Sequence, residues 1–251
     1  MVLARETQPT LVAEGVVRLG TELVNWYLLE EDGKVTVVDA GAPAYRPQLD
    51  KGLALLGREP ADVAAVILTH AHSDHIGFAE PLRAELGIPV LVHADDEHLA
   101  TTGKAFGKRE KSMLPYLRHG HAWKLLGHLA SSGFPKKIAA VTIFRDGDTL
   151  DVPGRPAVLH TPGHTSGHAC FWLEPRGVLV AGDLLCTRNP LTGGLGPQLM
   201  PGAFNLSSGS ILDSLSKIEG LDAGTIVFGH GEPWTDGAAE AVRLARATGP
   251  T

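Results

Sequence analysis

The first third of the chain consists mainly of short apolar runs in which β-branched and aromatic residues are frequent. This composition is typical of β-strands, and Glu31-Asp32-Gly33 between two of the runs is a hairpin turn signal. Residues 44–56 and 76–86 instead show the spacing of amphipathic helices, and the first of them is followed by Gly57. The predicted strands of this third cover residues 15–19, 23–30, 34–39, 63–69 and 89–92.

Residues 94–137 follow a different pattern, with long stretches of helical spacing separated by glycines. We predict that they form a helical insertion over one face of the domain. The later strands are predicted at 140–144, 149–152, 157–160, 169–173, 177–181 and 225–228, the later helices at 207–218 and 236–248, and a Gly/Pro-rich loop at 189–202. Two strand-rich halves with helices after the strands predict an α/β fold in which two sheets pack together, with helices outside.

The net charge of the chain bears on the kind of partner that it can bind. The chain has 251 residues, with 22 basic and 28 acidic side chains and a net charge of -6. This balance argues against nucleic acid as a partner, because phosphate contacts need clustered lysine and arginine. The best basic cluster, formed by Lys104, Lys108, Arg109 and Lys111, stands beside Glu110, and we interpret it as the solvated face of a helix.

Two further features of the sequence bear on the cellular location of the protein. The two cysteines, Cys170 and Cys186, are too few for a secreted disulfide scaffold. Residues 1–20 carry acidic and basic side chains rather than the pattern of a leader, and no apolar run approaches the ~18 residues of a transmembrane helix. We therefore expect a cytoplasmic protein that does not associate with membranes.

The candidate chemistry lies in Gly-rich turns that follow the apolar runs. Strand ends place side chains at one rim of a sheet, and glycine lets the backbone bend sharply there. Imidazole and carboxylate groups are ligands of Zn²⁺ and similar divalent ions. Seven such groups are too many for one catalytic ion and favour two ions bridged by a carboxylate. The seven residues are His70, His72, Asp74, His75, His164, Asp183 and His230.

The order and spacing of these residues resemble those of the metallo-β-lactamase-fold hydrolase superfamily. The match consists of a His-x-His-x-Asp-His motif at 70–75, followed by single residues in Thr-Pro-Gly-His, Gly-Asp and Gly-His turns, and it runs from Asp39 to His230. The resemblance implies a four-layer αββα sandwich, with two mixed sheets packed together and helices outside, formed by a single domain over residues 1–251.

The resemblance also implies a role for each residue. Asp183 would bridge the two ions, and Asp39 would orient the ligand turn without binding metal. His168 is expected to give supporting hydrogen bonds rather than a bond to metal. The implied ligands are His70, His72 and His164 for the first ion and Asp74, His75 and His230 for the second.

The implied cofactors are two divalent metal ions, zinc in the first place, with iron and manganese as alternatives. Two such ions lower the pKa of bound water toward ~7, so that a metal-bridging hydroxide can attack an acyl carbon or a phosphorus at neutral pH. Asp74, at the second ion, is the candidate for proton transfer to the leaving group. The protein then needs no serine or cysteine nucleophile.

The substrate is the least constrained part of the prediction. The insertion at 94–137 would roof the site and supply Phe106, Met113, Tyr116 and Trp123 as pocket walls. Cys186, which stands where acyl-homoserine lactonases of this superfamily have a tyrosine, is a further candidate pocket residue. We therefore expect a small-molecule substrate, namely a small or medium ester, lactone or thioester. The alternatives are an iron-dependent oxidoreductase of the persulfide dioxygenase type, a β-lactamase and a phosphodiesterase, and the oligomeric state stays open.

Overall fold

The computed structural model describes residues 4–104 and 107–250 of the chain. Its strands are β1 Thr10–Ala13, β2 Val16–Gly20, β3 Asn25–Glu31, β4 Lys34–Val38, β5 Val63–Ile67, β6 Val90–His93, β7 Thr142–Phe144, β8 Ala157–His160, β9 Ala169–Leu173, β10 Val178–Val180, β11 Cys186–Arg188, β12 Leu195–Gln198 and β13 Thr225–Val227. Its α-helices are α1 Gln48–Leu56, α2 Ala79–Leu86, α3 Glu97–Thr102, α4 Gly120–Ser131, α5 Ser208–Ser214, α6 Ser216–Glu219 and α7 Ala238–Thr248.

In the described part of the chain, the strands form two mixed sheets and a small ribbon. The first sheet has seven strands in the order β1 to β7, antiparallel from β1 to β4 and parallel from β4 to β7. The second sheet has four strands in the order β13-β10-β9-β8, with β13 parallel to β10 and the other pairs antiparallel. Strands β11 and β12 pair separately as an antiparallel ribbon.

The alternation of side chains along each strand defines the layers of the fold. In β3, Trp26 and Leu28 belong to a core shared with helices α1 and α2, whereas Tyr27 and Leu29 belong to the core between the two sheets. The outer face of the second sheet, which includes Leu179, packs against α5, α6 and α7. This order of helices, sheet, sheet and helices confirms the predicted αββα sandwich. Because the sheets are buried on both faces, their strands appear in the sequence as nearly continuous apolar runs.

The strand predicted at 149–152 does not form. Thr149 makes one isolated antiparallel bridge to Ala157, and the chain then turns back toward β8. The turn passes through Gly154 and Arg155, at φ values of +88° and +38°, in the left-handed region that extended strands do not use. The apolar residues of this segment therefore pack under a turn rather than in a sheet.

Two further segments differ from the prediction. The expected loop at 189–202 contains β12, which pairs only with β11. This strand was not predicted because Gly196 and Pro197 are residues that strands seldom contain. The expected helix at 207–218 divides at Leu215 into α5 and α6. The hydroxyl of Ser216 donates to the carbonyl oxygen of Asp213, a local bond that competes with a continuous helix. The short edge strand β1 was not predicted.

The insertion at 94–137 contains α3, a 3-10 turn at Leu114–Arg118 and α4. The prediction that Lys104, Lys108, Arg109 and Lys111 form one face of a helix was wrong. Gly103 ends α3 in the left-handed region at φ +72°, Gly107 has φ +91°, and the described residues that follow have no helical conformation before the 3-10 turn. The helices formed by residues 4–104 and 107–250 are too short or too polar to cross a membrane.

Candidate metal centre

Turns that follow strands of both sheets meet at one place in the structure. The segment 68–75 follows β5, Asp183 follows β10 and His230 follows β13, while His164 lies in the turn between β8 and β9. The turn that carries His230 is tied to the first sheet, because the amide of Asn25 donates to the carbonyl oxygens of Phe228 and Gly231. The packing of the two sheets thus brings together residues that are 160 positions apart in the chain, from His70 to His230.

The first group of donors consists of His70, His72 and His164. One ring nitrogen of each lies within 4.8 Å of those of the other two. His72 Nδ1 and His164 Nε2 are 2.8 Å apart. His70 and His164 are buried, while His72 is partly exposed toward the pocket. Three converging imidazoles leave one side free, which is the donor set of a catalytic rather than a structural ion.

The second group consists of Asp74, His75 and His230, whose donor atoms also lie within 4.8 Å of one another. Asp74 Oδ2 is 3.8 Å from His230 Nε2 and 4.0 Å from His75 Nε2. The two histidines are buried, whereas the Asp74 side chain keeps 16% of its surface exposed. Asp74 is therefore the donor of this group that a molecule in the pocket can reach.

Asp183 lies between the two groups. Its Oδ2 is 3.3 Å from His164 Nε2 of the first group and 3.2 Å from His230 Nε2 of the second. Its Oδ1 is 3.6 Å from His75 Nε2. A carboxylate in this position can bind an ion in each group, as the sequence predicted for the bridge. The structure brings all seven predicted donors together, and their binding of metal stays a prediction.

In four of the five histidine rings of the cluster, Nδ1 points away from the cluster and Nε2 points into it. In each of these rings Nδ1 faces an oxygen atom, and Nε2 lies within 4 Å of a carboxylate oxygen of Asp183. The pairs are His70 with the hydroxyl of Thr69, His75 with the carboxylate of Asp39, His164 with the amide oxygen of Asn205, and His230 with the carbonyl oxygen of Leu23.

Asp39 holds the 68–75 turn from behind through hydrogen bonds, and its predicted role at a metal site stays a prediction. Its Oδ1 accepts the backbone N–H of Thr69 at 2.8 Å, and its Oδ2 accepts the hydroxyl of Thr69 and Nδ1 of His75, both at 2.8 Å. The residue has a φ of +60°, which is uncommon outside glycine and is held here by these three bonds. Asp39 therefore fixes the orientation of His75 and, through Thr69, that of His70.

His168 supports Asp183 from behind. Its Nε2 accepts the backbone N–H of Asp183 at 2.9 Å, and its Nδ1 faces the hydroxyl of Thr161 at 2.9 Å. Both ring nitrogens are thus occupied, which agrees with a supporting role rather than metal binding. Burial, together with the nearby His164, lowers the pKa of His168 to about 3, so the ring is neutral at physiological pH.

Two residues that support the site were not predicted. Asp96 is buried and accepts the N–H of Ala71, the hydroxyl of Thr165 and the N–H of Gly167, so it ties the 68–75 turn to the His164 turn. Asn205 orients His164 and is itself held by the carbonyl oxygen of Met200. The position of Asp96 just after the predicted strand at 89–92 was an available signal, whereas nothing near Asn205 in the sequence marked it.

Burial and the close approach of charged groups shift the pKa values of the cluster residues in both directions. Burial and the neighbouring imidazoles lower the pKa values of His70 and His72 well below the ordinary value. Burial alone would raise the pKa of Asp183, but His230 and His75 hold it well below its usual range, so it stays ionised. Against the effect of burial, Asp183 and Asp39 raise the pKa of His75 to about 10. A divalent cation would displace that proton, which is how metal binding ordinarily couples to proton release.

The residues present fit divalent metal ions. Nε2 of His70, Nε2 of His75 and Oδ1 of Asp183 are buried polar atoms without a hydrogen-bond partner in the structure. Leaving a buried polar atom unpaired costs ~1–3 kcal/mol each, and such atoms are rare in native proteins. Here the three belong to the converging cluster, so a cation bound among them would satisfy all of them together.

The pocket above the donors has a volume of about 80 Å³. Apolar walls come from Leu125 and Leu129 of α4 and from Met200 and Phe204, and Arg109 lies at one side. Helix α4 belongs to the insertion, and Leu125 and Leu129 are one turn apart, so a single face of the helix points toward the donors. The insertion therefore supplies part of the pocket wall, through different residues from those predicted.

Four predicted pocket residues lie elsewhere. Trp123 is 60% exposed and donates its indole N–H to the carbonyl oxygen of Leu117, because it lies on the opposite face of α4 from the leucines of the pocket. Cys186 is fully buried, with its thiol toward the carbonyl oxygen of Leu199. Tyr116 lines a separate cavity beside the 3-10 turn. Met113 packs against the core of the first sheet rather than in the pocket, and Phe106 lies outside the described residues.

A second cluster of donor groups, formed by His93, Asp95 and His160, does not suit a metal ion. The two imidazole rings are stacked, with centroids 4.0 Å apart and an angle of 10° between their planes. A ring nitrogen donates in the plane of its ring, so lone pairs in nearly parallel planes do not converge on one ion. His160 Nε2 also faces the carbonyl oxygen of Ser166 at 2.9 Å. We interpret this cluster as structural.

Gly229 allows the His230 turn to approach Asp183, which leads to a first prediction. A Cβ atom at this position would lie 2.0 Å from Oδ1 of Asp183 and 2.7 Å from Cε1 of His75. We expect Gly229→Ala to displace both groups, to lower the bound metal at least about twofold and to destabilise the fold by about 1–3 kcal/mol, as overpacking does. Metal analysis and chemical denaturation measure the two effects.

Gly220→Ala is the matched control, because Gly220 has a φ of -92° and no atom within 4 Å of an added Cβ. This variant should keep the metal content and stability of the parent protein. Normal metal content and stability in Gly229→Ala would show that the close approach of Gly229 to the donors is not required.

Comparisons with known proteins agree with this geometry. The model of the metallo-beta-lactamase superfamily matches residues 19–230. An uncharacterized protein of Mycobacterium leprae is 30% identical over 85% of this chain and 89% of its own length, and a probable metallo-hydrolase of Bacillus subtilis is 28% identical over 89% and 86%.

Solved structures show the same relationship. A metallo-beta-lactamase family protein from Thermus thermophilus is 33% identical, with a TM-score of 0.64 over 90% of this chain and 74% of that protein. A metallo-beta-lactamase of Cronobacter sakazakii, at 21% identity and a TM-score of 0.68 over 98% of this chain and 93% of its own, shares the fold. The chain belongs to the metallo-beta-lactamase superfamily, as a metal-dependent hydrolase.

Proposed function

We propose that this metal-dependent hydrolase binds two divalent ions and cleaves small or medium esters, lactones or thioesters. The observation that carries the proposal is the position of Asp183, whose carboxylate lies within 4 Å of histidines from both donor groups. His70, His72 and His164 would hold the first ion, and Asp74, His75 and His230 the second, with Asp183 between them. Two ions bound there would supply a water molecule acidic enough to lose a proton near neutral pH and a Lewis acid for the substrate oxygen.

The chain's own contribution begins with the orientation of the donors. Asp39, Asn205 and the backbone hold the imidazole rings with Nε2 toward the cluster before any substrate arrives. The apolar side chains of Leu125, Leu129 and Phe204 limit the access of bulk water to the pocket. Electrostatic interactions with the reacting carbonyl group are stronger in such a site than in water.

Asp74 is the residue that we propose to carry the proton to the leaving group. Its carboxylate is the more exposed of the two cluster carboxylates, at 16% against 2% for Asp183, and it lines the pocket. Oδ2 of Asp74 can accept a proton at the floor of the pocket and return it to the oxygen or sulfur atom that departs. Asp183, which is buried among imidazoles, has no comparable access.

The size of the pocket and the net charge of the chain favour a small acyl substrate. About 80 Å³ lies directly above the donors, and this space accommodates a short acyl group but not a folded polymer. With a net charge of -6 and 28 acidic residues, the chain is a poor match for a polyphosphate backbone, so nucleic acid is not proposed as a substrate.

Zinc is the ion that we propose, because five of the seven donors are imidazoles, which are borderline ligands that suit zinc, and zinc also binds carboxylate oxygens. Iron and manganese bind the same groups, and iron would permit oxidative chemistry. Two unpaired, buried cysteines are compatible with a reducing compartment, and a cytoplasmic location is part of the proposal.

A substrate screen tests the function. The metal-loaded protein should be assayed with lactones, thioesters, esters, β-lactams and phosphodiesters, beside the Asp183→Ala variant as a blank. We expect hydrolysis of at least one ester, lactone or thioester that the variant does not catalyse. Turnover confined to β-lactams or phosphodiesters would refute the substrate class, and an iron-loaded protein that consumes oxygen without hydrolysing any substrate would refute the hydrolytic reaction.

A further inference from the structure

Arg109 stands where the metal pocket opens into a larger groove. The groove has a volume of about 460 Å³ among the described residues and shares His72, Ser73, Arg109 and Phe204 with the metal pocket. A substrate whose scissile bond lies at the metal-donor residues would therefore extend past Arg109 into the groove. Leu99, Phe134 and Leu206 give the groove apolar walls.

The guanidinium of Arg109 has no ionic partner within the described part of the chain. It makes no hydrogen bond or ion pair there, and it lies over the ring of Phe204 with Cζ 5.6 Å from the ring centroid. Stacking on an aromatic face restrains a guanidinium while leaving the N–H groups at its edge available.

The backbone beside Arg109 is fixed to the loop that orients a metal-ligand candidate. The N–H of Glu110 donates to the carbonyl oxygen of Asn205 at 2.8 Å, and the carboxylate of Glu110 accepts the N–H of Ser208 at 2.7 Å. The amide oxygen of the same Asn205 accepts Nδ1 of His164 at 2.9 Å. Arg109 and His164 are therefore positioned by one residue, which gives the cation a defined place relative to the donors.

We propose that Arg109 binds a carboxylate group carried by the substrate, and that this enzyme hydrolyses acyl compounds with a free carboxylate and an apolar segment. The inference narrows the substrate class of the proposed function and rests on it. The planar fork of arginine matches a carboxylate through two parallel N–H···O bonds, which the ammonium of lysine cannot reproduce. The free edge of Arg109, its stacking on Phe204 and its place at the pocket mouth meet the requirements of such a contact.

Matched thioesters provide the test. Each pair consists of an S-acetyl ω-mercaptocarboxylate, with two to five methylene groups, and its primary amide, which has nearly the same shape without the charge. Hydrolysis consumes one water and releases acetate and a thiol, and the thiol is measured with a chromogenic disulfide. Parallel pairs with the carboxylate on the acyl side identify which half of the substrate faces Arg109.

We expect the parent protein to show a KM about 10- to 100-fold lower for the best carboxylate than for its amide, as charge-assisted hydrogen bonds provide. Arg109→Gln should remove this preference by raising the KM of the carboxylate, with kcat changed less than about threefold and the amide unaffected. Arg109→Lys should restore the preference only in part. Lys108→Gln removes the same charge from an exposed neighbour outside the pocket and should behave like the parent.

A second readout separates this inference from the proposed function. Binding of the unreactive thioether carboxylate and thioether amide is followed by saturation-transfer NMR, with no turnover required. If the protein hydrolyses neither esters nor thioesters, but Arg109→Gln weakens binding of the thioether carboxylate, the proposed reaction is refuted and the carboxylate site at Arg109 is supported. If the parent hydrolyses both members of each pair equally, and Arg109→Gln changes neither KM nor binding, the carboxylate site is refuted and the hydrolase remains.

Discussion

Replacement of Asp183 by alanine will remove metal binding and hydrolysis together. The carboxylate lies 3.3 Å from His164 of the first donor group and 3.2 Å from His230 of the second, so its loss affects both ions. We expect bound metal to fall from about two ions per chain to fewer than one, and kcat/KM to fall more than about 100-fold, beyond the effect of removing a supporting residue. Metal analysis and the rate with the best substrate of the screen measure these changes.

Asp183→Asn provides a second variant with the same shape and without the charge. The backbone N–H of residue 183 can still donate to His168, so the fold should survive, as circular dichroism and the unfolding transition would show. Asp236→Ala, at an exposed position that lines no part of the pocket, is the control for removal of an aspartate. Full metal content and activity in both Asp183 variants would remove Asp183 from the site.

Replacement of Asp74 by asparagine will reduce turnover more than it reduces metal content. The side chain lines the pocket and, at 16% exposure, remains accessible to substrate, while the buried His75 and His230 remain in its group. Asparagine keeps an oxygen donor but cannot carry a proton, so we expect kcat to fall about 10²- to 10⁴-fold while KM changes much less. At least half of the metal should remain bound.

The pattern across leaving groups distinguishes proton transfer from a loss of metal. Loss of a proton donor affects esters with basic leaving groups most, so Asp74→Asn should retain relatively more activity on substrates whose leaving group departs without a proton. Asp236→Asn is the matched exposed control. An unchanged kcat in Asp74→Asn, or an equal loss on all leaving groups together with loss of metal, would contradict the proton-carrier role.

The layers of the fold and the donor set could be predicted from sequence for a physical reason. Both depend on patterns that are visible along the sequence. Strands buried on two faces appear as continuous apolar runs, and each donor follows such a run in a Gly-rich turn. The His70–His75 segment could therefore be placed at the end of a buried strand. The structure brings this segment together with His164, Asp183 and His230.

The residues that support the donors are harder to predict because they act across the fold. Asp96 bonds to three groups in two different turns, and Asn205 orients His164 from 41 positions away. Neither has a sequence pattern that states its partner. Asp39 was predicted only because it belongs to a motif shared with the superfamily.

The residues of the pocket walls were the hardest to predict from the sequence. Trp123 was predicted to line the pocket from its residue type, but the orientation of α4 turns it to solvent and turns Leu125 and Leu129 inward. Arg109 was interpreted as part of a solvated helix, but the left-handed conformation of Gly103 ends α3 before it. Helix orientation and helix ends depend on packing, so the side chains that select the substrate were not predictable from the sequence pattern.

The most direct test of the two-ion centre is the metal content of the wild-type protein, purified without chelators and measured by elemental analysis against protein concentration. Two complete donor groups joined by one carboxylate predict about two divalent ions per chain, with zinc predominant. A ratio near zero would contradict the metal site, and a ratio that stays near one after incubation with excess zinc would contradict the two-ion centre.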